Sequence, residues 1–346
     1  MKEEIPIEQY DYELPEELIA QTPLPRGESR LMVIRRDKGT VEHLQFSDLP
    51  DLLAKDDLLV MNDTRVSARR IIGLRANGLP VEVMLISRLD SLQYKALMKP
   101  AKSFLKGHVV TLQGPNGARC TAHIADIDET GARTLLFESE AEADKVDYWG
   151  EIPLPPYIHT QLAEDDEERY QTVYSKNRGS AAAPTAGLHF TTDMLEILRR
   201  KGVGTAYVTL HVGIDTFRPV RSNNILEHKM HGEYAELGIH SASLINQTVG
   251  RVCAVGTTSV RTLETAAQGV ADARVSPFLG QTNLFIYPGY QFKAVDSLIT
   301  NFHMPKSTLL MMVSAFAGRD LILEAYSEAV KMKYRFFSFG DAMLIL

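Results

Sequence analysis

Apolar and polar positions alternate through LMVIRRDKGTVEHL, residues 31–44, which predicts two strands joined by a turn at Asp37-Lys38-Gly39. FSDLPDLLAKDD then reads as a short helix opened by Ser47, and DLLVMN as a buried strand. From about Val66 to Glu138 the texture changes to short β runs divided by turns. RRIIGLRA and LPVEVMLIS face each other across Asn77-Gly78, a strong hairpin signal, and LQYKALM, HVVTL, RCTAHIADI and ARTLLFES follow with no helix between them. Such a series predicts a small β-barrel. IPLPPYI, residues 152–158, is a stiff connector. Beyond it helix and strand alternate: an acidic helix EDDEERYQTVYS, a helix after His189, strands GTAYVTLHV and RVCAVG, a helix SVRTLETAAQ, and a terminal helix pair from Ser307. The pattern predicts one discontinuous α/β domain, residues 1–65 and 152–346, carrying an inserted β-barrel at 66–151.

Composition changes this picture little. The chain has 346 residues, 45% of them hydrophobic, which is enough for two cores. No apolar run has the length of a membrane span, and the acidic N-terminus lacks a signal core, so a cytoplasmic protein is expected. Cys120 and Cys253 lie in apolar strand-like runs and read as buried thiols. The net charge of −7 excludes a generally basic, nucleic-acid-coating surface. It leaves room for a local basic face from Arg65, Arg69, Arg70 and Arg75 or from Lys99, Lys102 and Lys106.

Candidate chemistry gathers at strand ends. There is no P-loop and no HExxH zinc pair, and Gly202-Val203-Gly204 follows a helix, which is a C-cap and not a dinucleotide fingerprint. No histidine pair has metal-ligand spacing on a helix, so no metal is expected. RVCAVGTTSVRTLE places Thr257, Thr258 and Arg261 at a strand-to-helix corner suited to a carboxylate or phosphate, or else to plain N-capping. TLHVGIDTFRPV offers His211, Asp215 and Arg218, EHKMHGEYAEL offers His228, His231 and Glu233, and LITNFHMPKSTLL offers Asn301 and His303. The run SAAAPTAGLHF keeps side chains small from Ala181 to Gly187 before His189. Either backbone approaches a ligand there or the run packs tightly and His189 caps the next helix.

The blocks DLLVMNDTRVSARR, AAPTAGLHFT, VTLHVGIDTFRPV, AVGTTSVRTLE, SLITNFHMPKSTLL and KYRFFSFGDAM resemble the S-adenosylmethionine:tRNA ribosyltransferase-isomerase family of queuosine biosynthesis, from about Asp11 to the C-terminus. The resemblance implies an α/β domain with an inserted barrel. It implies S-adenosylmethionine as co-substrate with no prosthetic group, and tRNA carrying 7-aminomethyl-7-deazaguanine at the wobble position as partner. The implied reaction transfers and isomerises the ribosyl part, releasing adenine and methionine.

Matched to these blocks, His189, His211 and Asp215 are the expected catalytic residues. Asn62, Arg65, Thr185, Gly187, Thr257, Thr258, Arg261, Asn301 and His303 are the expected substrate contacts. Arg69, Arg70, Lys99, Lys102 and Lys106 are the expected tRNA contacts. A monomer is expected. Two other classes stand beside this one: a metal- or acid/base-dependent hydrolase using the same histidines, and a non-catalytic RNA-binding module in which the barrel does the work.

Overall fold

A computed structural model describes residues 4–129, 131–160, 164–213, 220, 222–230 and 232–346. The chain forms two compact units. The first comprises Met1–Thr64, Pro155–Lys176 and Pro184–Leu346, and the second Arg65–Leu154 with Asn177–Ala183. Nothing in the composition of Asn177–Ala183 marks it as returning to the second unit.

The first unit is built on a nine-stranded sheet. Its order is Phe278–Thr282, Glu233–Leu237, Gly204–Leu210, Leu58–Asn62, Val252–Val255, Ser297–Asn301, Ala342–Ile345, Arg30–Arg35, Thr40–Gln45. The four strands ending at Leu210, Asn62, Val255 and Asn301 are mutually parallel. Three of them are buried along almost their whole length, which is why LLVMN, VCAV and SLITN read as runs and not as alternations. Successive residues feed opposite faces. Leu58, Val60, Ala254 and Leu298 enter one core with Val260, Leu263 and Tyr326, while Leu59, Met61, Val255 and Ile299 enter the other with Phe46, Phe190 and Leu198.

The helix Thr192–Lys201 shows how the flanking elements are fixed. Thr191 Oγ1 accepts from the Met194 amide at 3.0 Å, worth about 1 kcal/mol. Gly202 closes the helix at φ +88°, and Met194 and Leu198 are buried. The start at Thr191 places His189 before the helix, as the last residue of the 3-10 turn Thr185–His189, so it caps nothing.

Two other expectations are corrected. EDDEERYQTVYS is a 3-10 segment only over Glu164–Tyr170 and does not continue as a helix. The helix expected from Ser47 is a 3-10 turn, Phe46–Asp48, running into one α turn, Leu49–Leu52, with the reciprocal cap made by Gln45 and Asp48.

The second unit is a closed six-stranded antiparallel barrel in the order Arg133–Phe137, Gln93–Lys99, Pro80–Arg88, Arg69–Arg75, Val109–Gln113, Arg119–Ile127. Closure removes the exposed sheet edges. Gly78, at φ +78°, makes the predicted hairpin turn. Trp149 packs so closely over Gly114 that any β-carbon there would lie within 2.5 Å of the indole. This α/β unit and barrel are the architecture read from the sequence.

Candidate active site

The carboxyl ends of the four parallel strands bring the predicted polar residues to one edge of the first unit's sheet, the edge where open α/β sheets bind ligands. At the end of its strand Asn62 is fully buried and shares both ends of its amide. Nδ2 donates to the Leu210 carbonyl at 3.0 Å and to Thr258 Oγ1 at 3.1 Å, while Oδ1 accepts from the amides of Leu210 and Thr64. Asn62 therefore ties the ends of two neighbouring strands to the first turn of the helix Thr257–Ala266. Thr258 does not cap its helix: the helix Thr257–Ala266 starts at Gly256, φ +88°, with no side-chain cap.

One residue beyond its strand, His211 has Nδ1 2.7 Å from Thr64 Oγ1 and lies stacked on Tyr234, ring centroids 5.4 Å apart. Nε2 has no hydrogen-bond partner among the described residues. Partial burial pushes the imidazole below its usual range, while the nearby carboxylates of Asp63 and Glu236 oppose the shift. The ring is thus neutral, oriented and beside negative charge. Asp63 was not among the expected site residues; its buried carboxylate accepts from Thr209 Oγ1 at 2.7 Å. The signal was present in NDT, where the acid directly follows a strand end.

His189 occupies different surroundings. It is buried, stacked on Phe46 at 4.9 Å, with Nδ1 2.8 Å from Ser29 Oγ and Nε2 3.3 Å from Asn301 Oδ1. Asn301 in turn donates to the Phe337 carbonyl at 2.9 Å. Burial drives His189 down to about 4, and the charges of Arg169, Arg26 and Arg335 push the same way. It is a neutral imidazole in a cationic setting.

The small residues before it have protein neighbours. Ala186 belongs to the core, and a β-carbon on Gly187 would lie 2.1 Å from the Tyr174 hydroxyl. Thr185, at the start of the same turn, is half-buried.

Other predicted residues are committed to the fold. The Arg261 guanidinium is buried in an ion pair with Glu233 and also donates to the Thr282 carbonyl at 3.2 Å and the Leu284 carbonyl at 3.3 Å. Glu233 in turn accepts from the Gly213 amide at 2.8 Å. His303 is buried against Thr300 Oγ1 at 2.9 Å, its amide donates to Tyr326 Oη, and desolvation pushes its ring down to about 3. Thr257 is buried. Asp215, Arg218 and His231 lie outside the described residues.

Of the expected tRNA contacts, all lie in the second unit with Arg65. Arg70 pairs with Glu151 at 2.9 Å, Lys106 with Asp126 at 3.3 Å, and Arg69 donates to the Asp147 carbonyl at 3.1 Å. Lys99 and Lys102 are exposed. Cys120 and Cys253 are buried, their thiols pushed up to about 12 by burial. Among the described residues there is no cluster of three metal-ligating side chains and no helix long and apolar enough to cross a membrane.

The sequence pattern of queuosine biosynthesis proteins matches residues 7–345. The S-adenosylmethionine:tRNA ribosyltransferase-isomerase of Staphylococcus saprophyticus is 49% identical over 98% of this chain and 99% of its own length. That of Halothermothrix orenii is 48% identical over the same shares. The crystal structure of S-adenosylmethionine tRNA ribosyltransferase from Thermotoga maritima is 38% identical, covers 98% of this chain and 100% of its own, and superposes with a TM-score of 0.56. With sequence, length and fold in agreement, the chain belongs to the queuosine biosynthesis protein family, that of the S-adenosylmethionine:tRNA ribosyltransferase-isomerases.

Proposed function

We propose that this protein transfers the ribosyl moiety of S-adenosylmethionine to 7-aminomethyl-7-deazaguanine at the wobble position of tRNA and isomerises it. The product is epoxyqueuosine-tRNA, and adenine and methionine leave. The protein acts as a cytoplasmic monomer with no prosthetic group. The observation that carries this reading is near-half identity, over almost the full length, to enzymes of that name.

The site's electrostatics support a division of labour. A sulfonium is a cation and makes the adjoining ribose C–H acidic. The neighbourhood of His211, with Asp63 and Glu236, suits both: carboxylates favour the cation, and a neutral imidazole with an open Nε2 can take the proton. His211 is then the acid/base residue, able to return that proton to departing adenine. His189 acts as a neutral hydrogen-bonding group, because Arg26, Arg169 and Arg335 oppose both its protonation and a sulfonium beside it. Asp215 remains a second candidate for carboxylate support. Thr185, Gly187, Thr257, Thr258, Asn62 and Asn301 shape the wall, and Arg65, Arg69, Arg70, Lys99, Lys102 and Lys106 contribute to holding RNA.

The test is adenine release from S-adenosylmethionine by purified protein, with and without tRNA bearing the deazaguanine amine. Adenine and methionine should appear in step with loss of the amine. Methylated RNA with intact adenosyl products would overturn the reading.

A further inference from the structure

On the first unit's sheet, the strands Gly204–Leu210, Glu233–Leu237 and Phe278–Thr282 turn alternate residues to opposite faces. Ala206, Val208, Ala235 and Leu237 enter the core. The residues between them face the other way, and there Tyr207, Tyr234 and Leu279 are 37%, 40% and 68% exposed. Glu236 lies opposite Leu279 in the register and Gln281 opposite Tyr234, and both polar residues are exposed. Apolar residues scattered singly over a surface need no explanation, but here two phenol rings and a leucine share one face. That face runs into the candidate active site: the His211 amide donates to the Tyr234 carbonyl at 3.0 Å, and the two rings stack.

His211 covers one side of the Tyr234 ring, so the exposure of Tyr234 lies on the remainder. At the ring's tip the hydroxyl reaches Glu236 Oε2 at 3.4 Å. The ring is held in place before any ligand arrives, and a second flat ring gains by stacking on its open side. The polar rim chooses among flat ligands. The Glu236 carboxylate repels a phosphate, while it accepts from the N–H groups on the edge of a guanine-type base. A small molecule is ordinarily enclosed over most of its surface. An open face one strand in from the sheet's edge suits instead a base splayed from an RNA loop.

We infer that the open side of Tyr234 is a stacking platform for the wobble base of the tRNA, in one pile with Tyr234 and His211. Resting on the proposed function, this platform gives the base that is modified a contact beside the imidazole that handles the proton.

The experiment measures tRNA binding, without S-adenosylmethionine, to the wild type, Tyr234→Ala and Tyr234→Phe. Two tRNAs are compared, one carrying the deazaguanine amine and one abasic at the wobble position. The wild type should bind the base-bearing tRNA about 5- to 150-fold more tightly. Tyr234→Ala should lose that preference and Tyr234→Phe should keep it. Neither should alter the slope of log affinity against log salt, since a stacked base releases no counter-ions. Equal binding of the two tRNAs by the wild type overturns the inference, as does a Tyr234→Ala variant that keeps the preference. A slope flattened by Tyr234→Ala also overturns it, because the lost contact would then be to phosphate. So does weakened S-adenosylmethionine binding in that variant with the tRNA preference intact, because the platform would then belong to adenine. Should Tyr234→Ala not fold, Tyr234→Leu, which keeps apolar bulk but has no π face, takes its place under the same outcomes. A wild type that shows the tRNA preference but releases no adenine counts against the proposed function and leaves the platform standing.

Discussion

Thr64 Oγ1 lies 2.7 Å from Nδ1 of His211, and this contact sets which way the imidazole faces. The hydroxyl holds one ring nitrogen and Tyr234 holds the ring plane, so the other nitrogen is presented ready for proton transfer. Replacing His211 by Ala should lower turnover by about two to four orders of magnitude with little effect on folding. Thr64→Val should reduce turnover much less and shift the pH profile, because the imidazole persists but is no longer oriented. A His211→Ala variant of unchanged turnover would remove His211 from the chemistry.

Arg261 tests where a ligand contact ends and a structural one begins. Its guanidinium and Glu233 are both nearly inaccessible to solvent. Arg261→Ala should destabilise the fold by about 3–5 kcal/mol by leaving Glu233 buried without its counter-ion. Changing both residues together, to Met and Gln, should recover much of that loss in urea titrations. If the single variant keeps wild-type stability and loses S-adenosylmethionine affinity, the pair is instead a substrate clamp.

These two residues also show what the sequence makes legible. Strand ends could be located from apolar runs, so the gathering of Asn62, His211, Thr258 and Asn301 followed once the strands were parallel neighbours. The partner of each group could not be read. Glu233 stands 28 positions before Arg261, and Ser29 stands 160 before His189. Nothing local distinguishes an arginine awaiting a ligand from one already paired. The cationic setting of His189 is invisible for the same reason: Arg26, Arg169 and Arg335 come from three distant segments.

Gly187 offers a packing test. A β-carbon there would lie 2.1 Å from Tyr174 Oη and 2.7 Å from Thr172 Cγ2. Gly187→Ala should therefore cost about 1–3 kcal/mol of stability by overpacking. Tyr174→Phe should relieve part of that cost in the double variant, giving a coupling measurable by a double-mutant cycle. Independent, additive effects would show that the turn relaxes elsewhere, and that the small side chains serve something other than Tyr174.

Acid should destabilise this fold through two buried histidines, His189 and His303. His189 and His303 are neutral when folded, titrating at about 4 and about 3, whereas an exposed histidine titrates near 6.5. The unfolded chain takes up their protons first, so the full contribution holds above about pH 6.5. It is lost as pH falls toward about 4 for His189 and about 3 for His303. Stability measured by urea at intervals from pH 7 to pH 4.5 should fall less steeply in His303→Gln than in the wild type. The difference expected is about one proton's worth of slope, whatever the variant's absolute stability. Parallel slopes would mean that His303 is protonated in the folded chain.

The last prediction concerns how a chain of net charge −7 holds a polyanion. Lys99 and Lys102 are exposed on the barrel unit, and Lys106 shares its charge with Asp126 across an exposed pair 3.3 Å long. An exposed pair of this kind is worth at most about 1 kcal/mol, so a phosphate can displace the aspartate. Arg70, paired with Glu151, is equally exchangeable. Each phosphate contact releases condensed counter-ions, so losing one should flatten the dependence of log affinity on log salt by slightly under one unit. Reversing Lys99, Lys102 and Lys106 together to Glu should weaken tRNA binding and flatten that dependence by about two to three units. S-adenosylmethionine binding, read by calorimetry, should stay as in the wild type. The three lysines differ in how much they have to give up, and that orders the single variants. Lys99→Glu and Lys102→Glu should each cost more than Lys106→Glu, whose charge is already partly spent on Asp126. If the triple variant binds tRNA as the wild type does at every salt concentration, these lysines only keep the barrel soluble and the RNA is held by other residues.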